Sequence, residues 1–471
     1  MKKSILKPLK AGRVLLLFII IQTGACGQNL NNETLGNNIM EINNENNPCI
    51  SQKEYQKIEN ECNINIKLFG LNNTEPGKIM TPSLNWPLKQ VNSLSDCSYY
   101  LITNNVDNNI TSGIQDYNCG TRTYNGHAGT DIVPQPYPFY KMDNNQVEVI
   151  AAASGTIVSK SDGNFDKNCV TGASPAQGNY IAVLHSDGSR TLYYHMKQNS
   201  LTSKIVGQTV VTGDFLGIVG SSGSSNIPHL HFEVWSGNTS STFKDPFYGT
   251  CNSLIASSLW AVQKPYKDRG ILKIQTNTIA PVLPSCGTTE TPNEQSCFSL
   301  SAGTARFYRW IRDDSVGLIT NMRIINPNGT TFDSWTGTSN TNFNVALYTS
   351  IRTLPTVAGI YTYEAIYNGN TCLKSFTIDC TITTIDEHNS NKGFFLYPNP
   401  SDGKIIVDFT ESGIQLEDSY IMLYNTLGEK IFEKTVFSTR TEIELDVSAG
   451  MFFYSIENKN KIISKGKLIV N

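Results

Sequence analysis

His229-Leu230-His231-Phe232-Glu233-Val234-Trp235 alternates polar and apolar side chains along most of its length. Successive side chains of an extended strand point to opposite faces, so His229, His231 and Glu233 share one face while Leu230, Phe232 and Val234 share the other. The stretch predicts a strand with a core side and a chemical side. Well upstream, His127-Ala128-Gly129-Thr130-Asp131 supplies an imidazole and a carboxylate. Both are good ligands for Zn2+, and Gly129 suits a tight loop entering the strand Asp131-Ile132-Val133. Three protein ligands leave a fourth position for water, which is the arrangement of a catalytic rather than a closed structural site.

Four segments stand in one order: His127 to Asp131, then Leu192-Tyr193-Tyr194-His195, then Gly217-Ile218-Val219-Gly220-Ser221-Ser222-Gly223, then Pro228 to Val234. Together they resemble the lysostaphin-like (LytM-type) zinc endopeptidases, which cut short peptides in bacterial cell walls. The resemblance implies an antiparallel β-sheet peptidase domain holding one Zn2+ per chain. It implies that His127, Asp131 and His231 are the metal ligands, and that His195 and His229 are catalytic histidines that do not bind the ion. An isolated H-x-H arises easily by chance. Of only six histidines in the chain, however, four fall in these motif positions.

The residues around these motifs carry further expectations. Tyr180 to Leu184 and Arg190 to His195 flank Asp187-Gly188, a favoured pair in tight hairpin turns. His185 abuts that turn and is expected to face solvent. Tyr193, two residues before His195, is expected on the same face as a packing aromatic. Glu233 reads as a solvent-facing strand residue, with the orienting of a ligand histidine as the other reading. Ser221 to Ser225 is a small-residue loop that lets an extended peptide lie close to the backbone. Cys119, near the first motif, is either part of a disulfide that holds His127 in place or an ordinary surface staple.

At 471 residues the chain is long enough for about three domains. A net charge of −3 with 16% charged residues argues against a polyanion-binding surface, so nucleic acid is not an expected partner. Plentiful Asn, Ser, Thr, Gly and Tyr and few amphipathic helical stretches predict a mainly β fold. Residues 1–27 read as a signal peptide, with Lys2, Lys3, Lys7, Lys10 and Arg13 before the apolar run Val14 to Ile21. That run is too short to span a bilayer, so no transmembrane segment is expected in the mature protein. Once Cys26 leaves with the signal, ten cysteines remain without C-x-x-C pairs, which suggests disulfides in an oxidising compartment.

Residues 28–80 begin Asn-rich and continue into a possible short helix carrying Tyr55, Ile58 and Cys62. They read either as a spacer or as a pro-segment that blocks the site. The peptidase domain is placed at 81–264 and a Pro-containing linker at 265–285. An immunoglobulin-like β-sandwich follows at 286–384, where Asn368-Gly369 marks a hairpin. Residues 393–471 contain Tyr397-Pro398-Asn399-Pro400, Tyr424-Asn425-Thr426-Leu427-Gly428 and Gly450-Met451-Phe452-Phe453-Tyr454. These resemble the C-terminal sorting domain of the type IX secretion route. The likeness implies a partner in that secretion machinery and a secreted or cell-surface protein exported across the outer membrane.

The resulting expectation is a zinc metalloendopeptidase that hydrolyses peptidoglycan cross-links or glycine-rich proteins through a metal-activated water. The alternatives are a non-catalytic cell-wall-binding regulator of the LytM type and a surface adhesin built of β modules.

Overall fold

The alternation in Leu230–Trp235 is realised as a strand whose Leu230, Phe232 and Val234 lie in the largest apolar core of the protein. The structure is a computed structural model. It describes residues 49–71 and 83–379 except 110, 112, 170–176 and 253–254, and residues 395–470 except 398, 400, 409–418, 426–427, 437 and 460; of 29–31 and 38–41 it describes the backbone. The expected signal peptide, most of the Asn-rich stretch after it, Cys26 and Cys380 lie outside the described residues. The chain is mainly β, in antiparallel sheets, and divides into two compact units.

In the first unit a large sheet runs in the order Thr209–Val210, Gly155–Ser161, Asn179–Leu184, Arg190–Met196, Leu230–Trp235, Thr130–Pro134, Tyr100–Asn104. A second sheet of Phe215–Ile218, Val147–Ile150 and Leu88–Gln90 covers one of its faces. The core between them gathers Val149, Ile157, Ile181, Tyr193, Phe232 and Trp260. The pairing His231↔Asp131 on one side and His231↔Tyr194 on the other fixes the two histidine motifs side by side. Cross-strand neighbours share a face, so register alone brings these distant segments together.

The opposite face is covered by one helix, α1 (Gln52–Leu68). Ser51 caps it by accepting a hydrogen bond from the Glu54 N–H, and Gly70 adopts φ +64° just beyond its end. Tyr55, Ile58, Cys62 and Ile66 recur at helical spacing and form its buried stripe. They pack on Val158, Tyr180, Leu192, Tyr194 and Trp235. The possible helix read from the sequence is therefore real, and it lies on the sheet face that carries the histidines.

Residues 265–285, expected as a linker, instead contain the strand Gly270–Asn277, which pairs with Thr304–Asp314 and so edges the next module. The prolines that suggested a linker flank this strand rather than interrupt it. Thr304–Asp314 and Phe343–Thr353 continue that sheet, while Ile319–Ile325, Thr331–Thr338, Gly359–Tyr367 and Asn370–Ile378 form the facing one. Phe307 meets Trp335, Tyr363 and Phe376 between the two sheets. Asn368 and Gly369 both take positive φ, as the hairpin reading requires.

This sandwich shares a core with the large sheet. Leu101, Val133 and Ile227 pack against Leu272, Trp310 and Val345. The buried ion pair Arg122–Asp313 and the disulfides Cys97–Cys372 and Cys169–Cys286 cross the same junction. A third disulfide joins Cys119 to Cys251. Cys49 and Cys62 are free and buried, so the expectation that the ten cysteines pair throughout fails at these two.

The second unit contains another two-sheet arrangement. Phe395–Tyr397, Lys404–Asp408 and Arg440–Glu444 form one sheet. Lys430–Thr435, Ser419–Tyr424, Gly450–Asn458 and Lys461–Val470 form the other, around Ile405, Leu423, Ile456 and Leu468. Among the described residues no helix is long and apolar enough to cross a membrane.

Candidate metal centre

Asp131 enters from the strand Thr130–Pro134 and His231 from its neighbour Leu230–Trp235, both almost fully buried. His127 sits on the loop leading into the first of these strands. Its Nε2 lies 3.2 Å from His231 Nδ1 and 3.2 Å from Asp131 Oδ2, while Asp131 Oδ1 lies 2.8 Å from His231 Nδ1. Donor atoms bound tetrahedrally to one zinc ion sit roughly 3.3 Å apart. The donor types, their mutual spacing and their burial therefore fit a zinc site.

The tautomers agree with that fit. His127 Nδ1–H donates to the Asn105 carbonyl at 2.7 Å, which leaves the Nε2 lone pair turned inward. His231 works the other way round: its Nε2–H donates to Glu233 at 2.7 Å, leaving Nδ1 facing the cluster. Such outer partners fix ring orientation and raise ligand basicity. Asn104 Nδ2 donates to Asp131 Oδ2 at 2.9 Å and fixes the carboxylate in the same manner. Gly129 is required by close approach, because a Cβ there would lie 2.7 Å from the His231 ring.

Glu233 is fully buried, against the solvent-facing reading. Besides His231 it accepts from Tyr55 Oη and from Trp235 Nε1. The cause is α1, whose Tyr55 closes over the strand from a distant part of the chain. His185 is likewise buried rather than solvent-facing, its Nδ1 on the Ser154 carbonyl and its Nε2 on Thr191 Oγ1.

His229 precedes the strand on the same face as His231. Its Nδ1–H donates to the Ile227 carbonyl at 2.8 Å, and its Nε2, buried and 3.6 Å from Asp131 Oδ1, has no hydrogen-bond partner. His195 reaches the cluster by a route that strict alternation misses. A register shift in the pairing of Asn179–Leu184 with Arg190–Met196 and a positive φ of 63° turn it back toward the metal face. Tyr193 and His195 consequently lie on opposite faces. Tyr193 packs on Phe232 in the core, as a packing aromatic should, while His195 sits 4.4 Å from His229 and 6.0 Å from His231, ring to ring. His195 Nδ1–H donates to the Ser222 carbonyl at 2.6 Å. Ser221 to Ser225 is thus a buried support for His195, not an open shelf. Burial, followed by the neighbouring imidazoles, holds His195 well below the usual histidine range; burial also lowers His229.

Sequence reading missed one member of the cluster. Cys49 Sγ lies 3.4 Å from His231 Nδ1, and Cys49, His127 and His231 form a buried group with donor atoms mutually close enough for one ion. A thiol thus stands beside two of the imidazoles expected to hold the ion. Asn104, Asn105 and Tyr55 also went unread, since nothing local marks a residue as an outer support.

Residues 126–243 match the model of peptidase family M23, and residues 395–471 that of a secretion system C-terminal sorting domain. The chain is similar to cell division protein DipM of Caulobacter vibrioides, 38% identical over 88 residues, which cover 18% of this chain and 13% of DipM. It is also similar to the DD-carboxypeptidase/endopeptidase Mpg of Neisseria meningitidis, 34% identical over 113 residues, covering 24% of this chain and 20% of that protein. The chain thus spans a fifth or less of these relatives' length. Among solved structures, the catalytic domain of the antimicrobial peptidase lysostaphin from Staphylococcus simulans is 29% identical, covering 26% of this chain and 76% of that one with a TM-score of 0.19. A zinc-containing peptidase from Vibrio cholerae is 24% identical, covering 31% and 38%, with a TM-score of 0.19.

Proposed function

We propose, from an M23 peptidase domain at residues 126–243 and a C-terminal sorting domain that directs export across the outer membrane, that this chain is a secreted or surface-held zinc endopeptidase. Its substrates would be peptidoglycan cross-links or glycine-rich proteins. The observation that carries the reading is the convergence of His127 Nε2, His231 Nδ1 and the Asp131 carboxylate at ligand spacing, each fixed by an outer hydrogen bond. When bound there, zinc would bring the pKa of a water to about 7 and polarise a scissile carbonyl.

The remaining steps fall to the side chains around it. His229 offers an unpartnered Nε2 lone pair and is assigned to take the proton of the attacking water. His195, its ring close to that of His229 and its Nδ1–H on the Ser222 carbonyl, is assigned to stabilise the oxyanion of the tetrahedral intermediate once its Nε2 has taken up a proton. Glu233 keeps the His231 ring in the tautomer that presents Nδ1.

The test has two parts. Metal content of the purified chain should be one zinc per chain and should fall in His231→Ala. Hydrolysis of whole Gram-positive cell walls and of elastin should be sensitive to chelator and should be lost in His229→Ala with zinc retained. Both the native chain and the chain clipped after α1 are assayed, because that helix covers the sheet face carrying the histidines. Full zinc occupancy without cleavage of any peptide in either form would leave the non-catalytic regulator as the better reading.

A further inference from the structure

We infer that Cys49 is a fourth ligand of the metal, held there by helix α1, so that the folded chain is a latent form of the enzyme; this rests on the peptidase reading above. Three independent observations carry it. First, Cys49 Sγ is fully sequestered beside His231 Nδ1 at 3.4 Å and receives the Tyr124 hydroxyl at 3.5 Å, within a group whose other members are His127 and His231. Thiolate and imidazole are the donors zinc prefers, and a site closed by four protein ligands has no position for water.

Second, the sheet face bearing the site is buried beneath α1. An antiparallel sheet of this kind normally leaves one face to solvent or ligand. Here Leu192, Tyr194 and Trp235 on that face pack under Tyr55, Ile58 and Cys62. An extended peptide cannot reach the cluster across that face while the helix is in place. Third, polar bonds tie the helix to the site itself and to its flanks. Tyr55 donates to Glu233, Tyr180 and Ser159 donate to Glu61, and Arg190 donates to Asn63. Cys49, just before the helix, contacts His231, and Tyr55, on it, contacts Glu233, so one segment holds two residues of the same strand. Of the two earlier readings of residues 28–80, a blocking segment is the one these contacts support.

The test loads the full-length chain with Co2+, whose bond to a thiolate gives a near-ultraviolet charge-transfer absorption. The band should appear in the native chain and vanish in Cys49→Ala, and limited proteolysis that removes the segment through α1 from the metal-loaded chain should raise peptide cleavage at least tenfold. In parallel, peptide mapping after alkylation should find Cys49 protected while metal is bound and labelled after chelation. Cys62, free and buried on the same helix but outside the donor cluster, is the internal control and should not respond to metal. Cys49→Ser repeats the comparison should the alanine variant not fold, and the alkylation arm needs no variant. Stoichiometric metal with no charge-transfer band and metal-independent labelling of Cys49 would overturn this inference and leave the peptidase reading intact. A chain that binds no metal would overturn both. A thiolate band in a chain that stays inert after the segment through α1 is removed would uphold the coordination and overturn the peptidase reading.

Discussion

Replacing Glu233 by Gln tests whether the metal site depends on a partner that touches no ion. The carboxylate is fully buried and accepts three hydrogen bonds: Oε1 takes His231 Nε2–H at 2.7 Å and the Tyr55 hydroxyl at 2.5 Å, while Oε2 takes Trp235 Nε1–H at 2.5 Å. Glutamine has a single acceptor oxygen. Keeping it on His231 and Tyr55 points an NH2 group at the Trp235 N–H, and turning it round points that group at His231. Either arrangement leaves a buried donor without an acceptor, at about 1–3 kcal/mol, and removes the negative charge that makes the imidazole a stronger ligand. Loss of such a partner typically weakens metal binding by about 10- to 100-fold, or roughly 1.4–2.7 kcal/mol. Competition of the chain with a chelator of known affinity measures the change directly. Glu54→Gln is the control, because that carboxylate is carried by α1, accepts from the Gly178 N–H and touches no candidate ligand. If Glu233→Gln folds and holds zinc within twofold of the native chain, the bond to His231 does not tune the metal and the reasoning fails.

Three further outcomes follow from particular contacts. Gly129→Ala places a methyl group 2.7 Å from the His231 ring, so zinc affinity should fall at least tenfold, with about 1–3 kcal/mol lost from stability; an unchanged titration would contradict the close approach. Burial raises the Asp245 carboxyl to about 7, against bonds from the Phe247 N–H and Asn108 that lower it. Its folded value exceeds its unfolded value near 3.9, so the contribution is complete below about pH 4 and is lost as pH rises through about 7, at roughly 1.4 kcal/mol per unit. Thermal unfolding from pH 5 to pH 8 should therefore flatten in Asp245→Asn, and parallel curves for the two chains would refute it. Arg122→Ala strands Asp313 in the junction with the sandwich and should cost about 3–5 kcal/mol in thermal or denaturant unfolding, a loss that a merely superficial pair would not produce.

The sequence made legible whatever depends on local period. Alternation in His229 to Trp235 gave the core face and the chemical face, and Asn368-Gly369 gave a hairpin. It did not give what depends on a break in the period or on a segment arriving from elsewhere. His195 was assigned the face of Tyr193 because a bulge cannot be seen in a strand pattern, and here the bulge is what aims the imidazole. Glu233 read as solvent-facing because a polar residue on a strand usually is, and His185 because it abuts a turn. In this fold α1 buries the first and the Ser154 and Thr191 oxygens hold the second. Cys49 carried no local signal, since a cysteine outside a C-x-x-C pair in an exported chain reads first as half of a disulfide.

The bridge between Cys97 and Cys372 joins residues 275 positions apart, and Cys169–Cys286 closes a further loop inside that span. A polypeptide laced in this way can no longer be drawn out as a single thread. Any conduit in the outer membrane that passes the chain folded and oxidised must admit both modules as one parcel, and a compact body of that length is roughly 50 Å across. The cross-links that join these modules thus set a lower limit on the bore of the gate through which they leave the cell.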